Sequence, residues 1–435
     1  MTSKEGDKTE IDESVLNYLI SYSRLNDIDE VLDNYEAMTN KKILSQHPYT
    51  ITLNKDGRYS TYVPDEAKPS KRKKLVKTTR EELEKALVKF YKECEEKNSI
   101  KNMCLRQIYP EWLDYKSLHT ESTAYLKTID ELWIKFYLSD AIIDTPITQL
   151  DEYTLDVWAH NLIRNNNMTK KKYYNTTIIM RQALEYAVKR GIIEKNPFSD
   201  VKIDTKLFRR PKKKSDDTQV YLTNEQEKVE NEAFNDFLDT NSTACLAIPL
   251  AFQTGMRISE IVGLKWSDIG EEQANCIHVQ RMEVVQYVRS SDGTWSTPKR
   301  VIVERTKSDV GNRNVYLTTT ARNILDTIRA TNEEKGYSNS GYIFLDSRGR
   351  IKSTALDTRI RKYCNHINIS EKGMHTIRKT YISTLIDNEN ININYIRQQV
   401  GHADERTTYG NYCFNRKPKD MTEIEMEKSL VNHSK

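Results

Sequence analysis

The sequence lacks several features that define other classes of protein. No apolar run approaches the roughly 20 residues that a helix needs to cross a bilayer, and the acidic N-terminus has no apolar core of the kind found in secretory signals. The six cysteines are scattered, without a Cys-x-x-Cys pair or a histidine at ligand spacing. We therefore expect free thiols in a reducing cytoplasm, no metal site and no membrane association.

The net charge of +4 is small, but the charges are distributed unevenly along the 435 residues. Residues 1–46 hold ten acids and five bases, residues 55–80 hold nine bases and three acids, and residues 206–214 hold six bases and no acid. Basic blocks separated by neutral stretches are typical of a protein that contacts an extended polyanion at several points. Any single block is equally compatible with a solvated linker.

The N-terminal quarter of the chain changes character between two segments. Residues 1–46 are predicted to form an acidic helical segment, because apolar residues recur there at near-helical spacing. In residues 47–98, apolar and polar residues alternate on both sides of the hairpin signal Asp56-Gly57. A helix with Thr79 as its N-cap follows. This order predicts a small sheet backed by a helix.

The rest of the chain is predicted to be mainly helical, in at least two domains. Residues 100–205 show helical periodicity throughout, and residues 206–217 form a polar, basic linker. Residues 218–435 form a larger domain in which a β insertion interrupts the helices. Its end, residues 421–430, is predicted to be an amphipathic tail helix.

Short segments of the C-terminal half combine basic, imidazole and phenol side chains. They contain, in chain order, Arg257, Lys307, His375 with Arg378, His402 and Tyr412. Gly255 is predicted to end one helix, and Arg257 to stand in the first turn of the next. Glu260 lies one helical turn beyond Arg257, where it can hold the arginine side chain. Each segment alone is common in unrelated proteins, and this chain has 25 tyrosines. The ordered set is much rarer than any of its parts.

In these segments the sequence resembles the tyrosine recombinase, or phage integrase, family, and within it the integrases of conjugative transposons of Gram-positive bacteria. The resemblance extends over residues 47–420 and is carried by TGMRISEIVGLKWSDI, ERTKSDVGNRNVYL, HTIRKTYISTLI and QQVGHADERTTYGNY. It implies a multidomain, mainly α fold. The parts would be a small β-sheet-plus-helix arm-binding domain, an all-helical, SAM-like core-binding domain and a mixed α+β catalytic domain.

The resemblance assigns the family's catalytic roles to the six residues of the ordered set, and their chemistry suits cleavage of DNA without a metal or another cofactor. Two guanidinium groups, those of Arg257 and Arg378, can each grip the nonbridging oxygens of a phosphate in bidentate fashion. His402 can add a further hydrogen bond to the charge that develops in the transition state. The sequence contains no Walker loop and no carboxylate cluster, and this chemistry needs neither.

Tyr412 is predicted to be the nucleophile, since close cations favour its phenolate form. His375 would be the general base or a positioning group, and Lys307 would protonate the leaving 5′ oxygen. Tyr409 is an alternative nucleophile. Family members place the nucleophile nine or ten residues beyond the Gly-His histidine; Tyr412 lies ten residues beyond His402 and Tyr409 only seven.

Further basic residues are predicted to hold DNA. By resemblance, the core-binding bundle and the catalytic domain would close on DNA as a C-shaped clamp, and the arm module would place its sheet in a major groove. Backbone contacts of this kind position a protein without reading sequence. The candidates are Arg58, Tyr59, Lys71, Arg72 and Lys73 in the arm module, Lys170, Lys171 and Lys172 at a helix start, and Arg209, Arg210 and Lys212 in the linker. The run at 170–172 is also compatible with a solvated helix terminus.

The expected function is that of a site-specific integrase, which integrates and excises a mobile element through a 3′-phosphotyrosine intermediate. The resemblance implies double-stranded attachment sites, a homotetramer joined through the tail helix and an excisionase-type accessory protein as partners. A type IB topoisomerase and a catalytically inactive DNA-binding regulator are the alternatives. The pairing of His375 with Arg378 looks like a recombinase, and a regulator has no reason to keep the complete set.

Overall fold

The computed structural model describes residues 28–212, 215–270, 275–337, 341–388, 390–404, 408, 412, 414–417 and 419–431. The first part of the predicted N-terminal helical segment, residues 1–27, and the alternative nucleophile Tyr409 lie outside the described residues. The chain divides into two compact units. The first comprises Met1–Trp112, Phe136–Asn166 and Tyr174–Asp204, and the second Leu113–Lys135, Asn167–Tyr173 and Thr205–Lys435. Within the described ranges, no helix is long and apolar enough to cross a membrane.

The first unit contains the predicted small sheet backed by a helix. Its elements are helix α1 (Ile28–Ser45), strands β1 (Thr52–Leu53), β2 (Tyr59–Pro64) and β3 (Arg72–Lys77), and helix α2 (Arg80–Asn102). Strand β2 pairs with both neighbours in antiparallel register. The N-cap Thr79 is confirmed, because its hydroxyl accepts from the backbone N–H of Glu82 over 3.1 Å. Helix α2 packs on β2 and β3, and Val63, Leu83 and Leu87 are completely buried.

Five helices follow the small sheet along the chain. They are α3 (Leu105–Ser117), α4 (Thr123–Phe136), α5 (Glu152–Asn166), α6 (Lys170–Thr176) and α7 (Ile178–Lys189). Within the first unit, the hydroxyl of Tyr137 donates to the carbonyl of Thr176 over 2.9 Å, and Nε1 of Trp158 donates to Asp140 over 2.9 Å. These large aromatic side chains are therefore buried without leaving a polar atom unpaired.

The second unit holds the remaining elements. They are α8 (Thr223–Thr240), α9 (Thr243–Thr254), α10 (Ile258–Ile261), β4 (Cys276–Val279), β5 (Met282–Gln286), β6 (Lys299–Val303), β7 (Arg313–Tyr316), α11 (Thr319–Glu334), β8 (Leu345–Asp346), β9 (Gly349–Arg350), α12 (Ser353–His366), α13 (Met374–Ile386), α14 (Ile393–Val400) and α15 (Lys419–Val431). Helix α9 is buried along almost its whole length and packs against α8, α11, α12 and α13. A helix surrounded in this way is apolar on every side, as the sequence of α9 is.

Short two-stranded pairings form the predicted β insertion. Strand β4 pairs with β7, and β5 pairs with β6 as a hairpin. The buried carboxylate of Glu283 on β5 anchors this hairpin: it accepts from Arg350 over 2.8 Å, from Arg300 over 3.3 Å and from the hydroxyl of Ser353 over 2.5 Å. The chain that leaves β6 carries Lys307, so this anchor determines where that lysine emerges.

Candidate active site

Arg257 is positioned by the junction between helices α9 and α10. Gly255 ends α9 in the left-handed conformation, with a φ of 60°, and a Cβ at this position would collide with the ring of Tyr381. Arg257 is the N-cap of α10, and its guanidinium donates to Glu260 over 2.7 Å. Its backbone N–H donates to the other oxygen of the same carboxylate over 2.9 Å. The predicted contact between Glu260 and the arginine is therefore confirmed.

Glu260 has a second partner, Arg313, which the sequence analysis did not identify. Arg313 lies on β7 and is buried, and its guanidinium donates to both oxygens of Glu260, over 2.9 and 3.2 Å. It also donates to the carbonyls of Gln399 and Gly311, over 2.8 and 2.9 Å. The signal was the alternation in β7, which turns Arg313 to the same buried side as Val315. A buried arginine requires an acidic partner.

The two arginines stabilise the ionised form of Glu260. Burial alone would raise the pKa of Glu260, but the hydrogen bond and charge of Arg313, followed by the charge of Arg257, lower it to about 2. The carboxylate is thus ionised at every physiological pH. It neutralises part of the positive charge and fixes the direction of Arg257, whose side chain is 23% exposed.

The Glu260→Gln variant is expected to lose about 3–5 kcal/mol of unfolding free energy, because it leaves two arginines without their buried counter-charge. The pKa of Glu260 is lower in the folded than in the unfolded protein. The free energy of unfolding that Glu260 contributes is therefore complete above pH 4.5 and is lost as the pH falls towards 2. Urea unfolding between pH 7 and pH 3 should show a steeper loss of stability in the parent protein than in the variant.

The control for this variant is Glu131→Gln, which removes a carboxylate that forms an i,i+4 ion pair with Lys127 and is 59% exposed. Exposed pairs of this kind contribute about 0–1 kcal/mol, so the control should unfold close to the parent protein. Equal stability of the Glu260 and Glu131 variants would contradict the prediction.

Arg378 is the most deeply buried of the predicted catalytic residues. It lies on α13, one turn beyond His375, and is only 1% exposed. Its guanidinium donates to the carbonyl of Gly255 over 2.8 Å and to the carbonyl of Val400. Burial, and then the charge of Arg257, lower the pKa of Arg378 to about 9. Its Nε is buried and has no hydrogen-bond partner among the described residues.

His402 follows a second glycine in the left-handed conformation. Gly401 ends α14 with a φ of 64°, and a Cβ there would lie 2.8 Å from the carbonyl oxygen of Val310. His402 is 8% exposed, and its Nδ1 lies 3.0 Å from the hydroxyl of Thr408. Burial, and then the charge of Arg378, lower the pKa of His402 to about 3. The ring is therefore neutral at pH 7 and carries one N–H that can donate.

Tyr412 lies close to both predicted histidines. The centroid of its ring is 4.8 Å from that of His402 and 6.0 Å from that of His375, and Tyr412 is 9% exposed. Its backbone carbonyl accepts from the hydroxyl of Ser383, on α13, over 2.6 Å. The structure thus brings Tyr412, both histidines and Arg378 into one cluster.

His375 and Lys307 are exposed members of the same region. Desolvation by the surrounding protein atoms lowers the pKa of His375. The charges of Arg378, Lys379, Arg257 and Lys307 lower it further. The charge of Lys307 therefore acts on the histidine, although Lys307 lies on the chain beyond β6 and not on a helix.

Two of the predicted DNA-binding sets lie together in the second unit. Lys170, Lys171 and Lys172 are exposed at the start of α6, and Arg209, Arg210 and Lys212 are exposed in the linker. The linker packs on the segment around α6, because the rings of Phe208 and Tyr173 are 5.4 Å apart and the N–H of Arg209 donates to Met168 over 2.9 Å. We call these six residues the basic surface.

The residues predicted in the arm module do not all share one face. Tyr62 pairs with Lys74 and Val63 with Lys73, so Val63 and Lys73 face the helix while Tyr62 and Lys74 face away from it. Arg72 lies on this open face, with its guanidinium 4.6 Å from the centroid of the Tyr62 ring. Lys74 and Tyr62 were not predicted.

The other predicted residues of the module lie elsewhere. By the same alternation, Tyr59 is on the helix side of the sheet, together with Lys73. Arg58 lies in the turn, where it pairs with Asp56 over 3.0 Å, and Lys71 has a left-handed backbone with a φ of 50° in the loop before β3. The register therefore separates these candidates into open-face, helix-side and loop positions.

Comparisons with known proteins agree with this architecture. Residues 221–418 match the phage integrase family. The integrase of Staphylococcus phage L54a is 23% identical over 336 residues, which cover 72% of this chain and 90% of that protein. The ICEBs1 integrase of Bacillus subtilis is 22% identical over 305 residues, which cover 67% of this chain and 74% of that protein. The Tn1549 transposon integrase, solved in complex with a circular intermediate DNA, superimposes with a TM-score of 0.54 at 19% identity and covers 75% of this chain and 99% of that one.

Proposed function

We propose that this chain, a tyrosine recombinase of the phage integrase family, cuts and rejoins DNA strands at specific sites through a 3′-phosphotyrosine and so integrates and excises a mobile element. The observation that carries the proposal is the position of Tyr412, whose ring centroid lies 4.8 Å from that of His402 and 6.0 Å from that of His375, in one cluster with the buried Arg378. The relatives named above are integrases, which gives no support to a topoisomerase or to an inactive regulator.

In this reaction the hydroxyl oxygen of Tyr412 attacks the phosphorus of a backbone phosphate. The bond from phosphorus to the 5′ oxygen breaks, and the 5′ oxygen takes up a proton. The new phosphotyrosine link conserves the phosphodiester bond. The 5′ hydroxyl of a partner strand then attacks the same phosphorus and releases Tyr412, which completes the exchange.

The arginines supply the charge that this displacement needs. The guanidinium fork of Arg378 is bonded to two carbonyls, which fix its direction before a phosphate binds. A phosphate oxygen is a suitable acceptor for its unpaired Nε. Arg257 is held by Glu260 and is partly exposed, and it would contact a second nonbridging oxygen. Neutral His402 would donate one hydrogen bond to the same phosphate.

Proton transfer is assigned to the two exposed members of the site. The lowered pKa of His375 leaves its ring neutral at pH 7, as a base must be before it takes the proton of Tyr412. Lys307 is placed on the chain beyond the anchored β5–β6 hairpin, from where it would protonate the leaving 5′ oxygen.

The Lys307→Ala variant is expected to cleave an ordinary DNA substrate about 10²–10⁴ times more slowly, because the 5′ alkoxide would leave without a proton donor. A substrate with sulfur in place of the bridging 5′ oxygen should restore most of the rate, because a thiolate leaves without protonation. The measurement is single-turnover formation of the covalent complex on both substrates. Lys299→Ala, at the exposed first residue of β6, is the control. Failure of the sulfur substrate to restore the rate would show that Lys307 is not the acid.

The contacts to DNA are proposed to divide between the basic surface and the arm module. We assign residues 47–98 to arm-site binding, 100–205 to core-site binding, 206–217 to the linker and 218–435 to catalysis. The exposure of all six members of the basic surface supports its contact with the DNA backbone. In the arm module, the open face carrying Tyr62, Arg72 and Lys74 is the face available to a major groove.

Substitution of Arg72 and Lys74 by alanine is expected to weaken arm-site binding about tenfold or more and to reduce its salt slope by about 2, since two phosphate or base contacts are removed. Cleavage at core sites should not change. The matched control is the double alanine variant of Lys73 and Lys77, two lysines of the same strand that face the helix side. If the control loses arm binding and the open-face variant does not, the assignment of faces is wrong.

The tail is proposed to join protomers of a tetramer on paired sites. Helix α15 leaves its apolar side chains about half exposed, with Met421 at 47%, Ile424 at 49%, Met426 at 58% and Leu430 at 68%. Exposed apolar side chains on a terminal helix favour contact with a second molecule. An excisionase-type accessory protein would set the balance between integration and excision.

A suicide half-site assay tests the proposed function. On cleavage the substrate loses the short fragment that carries the freed 5′ hydroxyl, so a covalent complex accumulates, and an added duplex with a free 5′ hydroxyl accepts the strand. Transfer to the second duplex identifies a recombinase. Relaxation of supercoils without transfer would indicate a topoisomerase, and DNA binding without covalent complex would indicate a regulator.

A further inference from the structure

We propose that Arg416 is a positioning residue that holds the segment after Tyr412 against the catalytic unit and so sets where the phenol lies. The inference rests on the proposed role of Tyr412 as nucleophile. Arg416 touches none of the predicted catalytic side chains in any described contact, and it lies four residues beyond Tyr412. Its action on the reaction would therefore pass through the backbone between them.

The guanidinium of Arg416 joins three parts of the second unit. It donates to the carbonyl of Tyr221 over 3.3 Å, to the side chain of Gln226 on α8 over 2.7 Å and to the hydroxyl of Thr384 on α13. Its own carbonyl accepts from the N–H of Thr223 over 3.4 Å. Arg416 is 8% exposed, although a fully solvated arginine is the ordinary state.

A second contact fixes the same segment at its other end. The hydroxyl of Ser383, the neighbour of Thr384 on α13, donates to the carbonyl of Tyr412 over 2.6 Å and accepts from the N–H of Phe414 over 3.3 Å. Arg416 and Ser383 thus hold residues 412–416 from both ends. Ser383 and Thr384 lie on α13, the helix that also carries Arg378. Ser383 is five residues beyond Arg378, which corresponds to about 7.5 Å along the helix axis at 1.5 Å per residue.

One rigid helix therefore sets two positions at once. Its first turns place the arginine that would bind the phosphate, and Ser383 and Thr384 place the chain that carries the phenol. The burial of Arg416 lowers its pKa, with the carboxylates Asp387 and Glu230 acting in the opposite direction. A buried cation whose donors go to neutral acceptors adds little net stability. The planar guanidinium nevertheless fixes the direction and length of its hydrogen bonds, which the ammonium group of lysine does not.

The test compares Arg416→Gln with Lys417→Gln, a neighbouring cation that is 55% exposed. Arg416→Gln should lower the single-turnover rate of covalent complex formation at saturating DNA about 10- to 100-fold, since misplacement by about 1 Å costs roughly that much. DNA affinity should remain unchanged. Nitration of Tyr412 by tetranitromethane, measured by mass spectrometry without DNA, should rise severalfold as the phenol leaves its buried position. Lys417→Gln should match the parent protein in all three measurements.

Two further variants keep the test decisive if Arg416→Gln does not fold. Gln226→Met removes one acceptor of the guanidinium, and Ser383→Ala releases the carbonyl of Tyr412. Both should slow cleavage and increase nitration of Tyr412, by less than Arg416→Gln. The proposal is overturned if these variants leave rate and nitration unchanged, or if the rate falls while nitration of Tyr412 stays at the parent level.

Failure of the proposed function would look different. If Tyr412→Phe still forms a covalent complex, Tyr412 is not the nucleophile, and the assignment of the reaction must change. The nitration measurement uses no DNA and no cleavage, so it would still report whether Arg416 holds the segment of Tyr412 in place.

Discussion

The Tyr412→Phe variant is expected to form no covalent complex with DNA while it binds DNA as tightly as the parent protein. The substitution removes only the hydroxyl oxygen that would attack phosphorus. The ring, which lies close to His402 and His375, stays the same. Substrate binding depends on many phosphate contacts, none of which needs this oxygen. The measurement is trapping on a suicide half-site, followed by denaturing electrophoresis, together with a band-shift titration.

Two matched variants make the result specific to one tyrosine. Tyr395→Phe removes the hydroxyl of a tyrosine on α14 that is 49% exposed, and it should cleave normally. Tyr409→Phe tests the alternative nucleophile. If Tyr409→Phe abolishes the covalent complex and Tyr412→Phe forms it, the nucleophile is Tyr409 and the mapping by spacing is wrong.

The Arg378→Lys variant is expected to cleave at least about 10³ times more slowly than the parent protein, because the charge remains but the fork is lost. The guanidinium donates to the carbonyls of Gly255 and Val400 and keeps its Nε for a further acceptor. A lysine ammonium cannot satisfy both carbonyls and also grip a phosphate in bidentate fashion. Single-turnover cleavage at saturating DNA, with DNA affinity measured in parallel, separates the chemical step from binding.

The control is Arg348→Lys in the second unit, at an arginine whose side chain is 85% exposed and pairs with Asp346. It should cleave at the parent rate. A thermal unfolding curve for each variant shows whether Arg378→Lys is folded at the assay temperature. An Arg378→Lys protein that is folded and cleaves at the parent rate would remove Arg378 from the phosphate site.

Local patterns predicted the elements well where the determining residues are close in sequence. The capping signal at Thr79 marked the start of α2, and the glycine before Arg257 marked the end of α9, because each depends on contacts within one turn of the chain. The register of β2 with β3 was not predictable in the same way. It depends on pairing across a loop, and it decided that Arg72, and not its neighbour Lys73, lies on the open face.

The residues that the sequence analysis missed are those whose partners are distant along the chain. Arg313 meets Glu260 across 53 residues, and Arg416 meets Gln226 across 190. Neither pair has a spacing that a motif could reveal. The alternation in β7 indicates which side of the strand Arg313 lies on, but the groups that surround Arg313 and Arg416 are visible only in the folded structure.

The sequence by itself determined which side chains are available for the chemistry and in what order, because the ordered set that ends at Tyr412 is a property of residue type and spacing. The tertiary structure decided how these side chains act. Burial in a low-dielectric interior lowers the pKa of His402 to about 3 and that of Arg378 to about 9. A hydrogen bond from Ser383 of α13 holds the carbonyl of Tyr412, whose ring lies beside His402. These effects depend on through-space proximity and on exclusion of water, which a linear pattern does not contain.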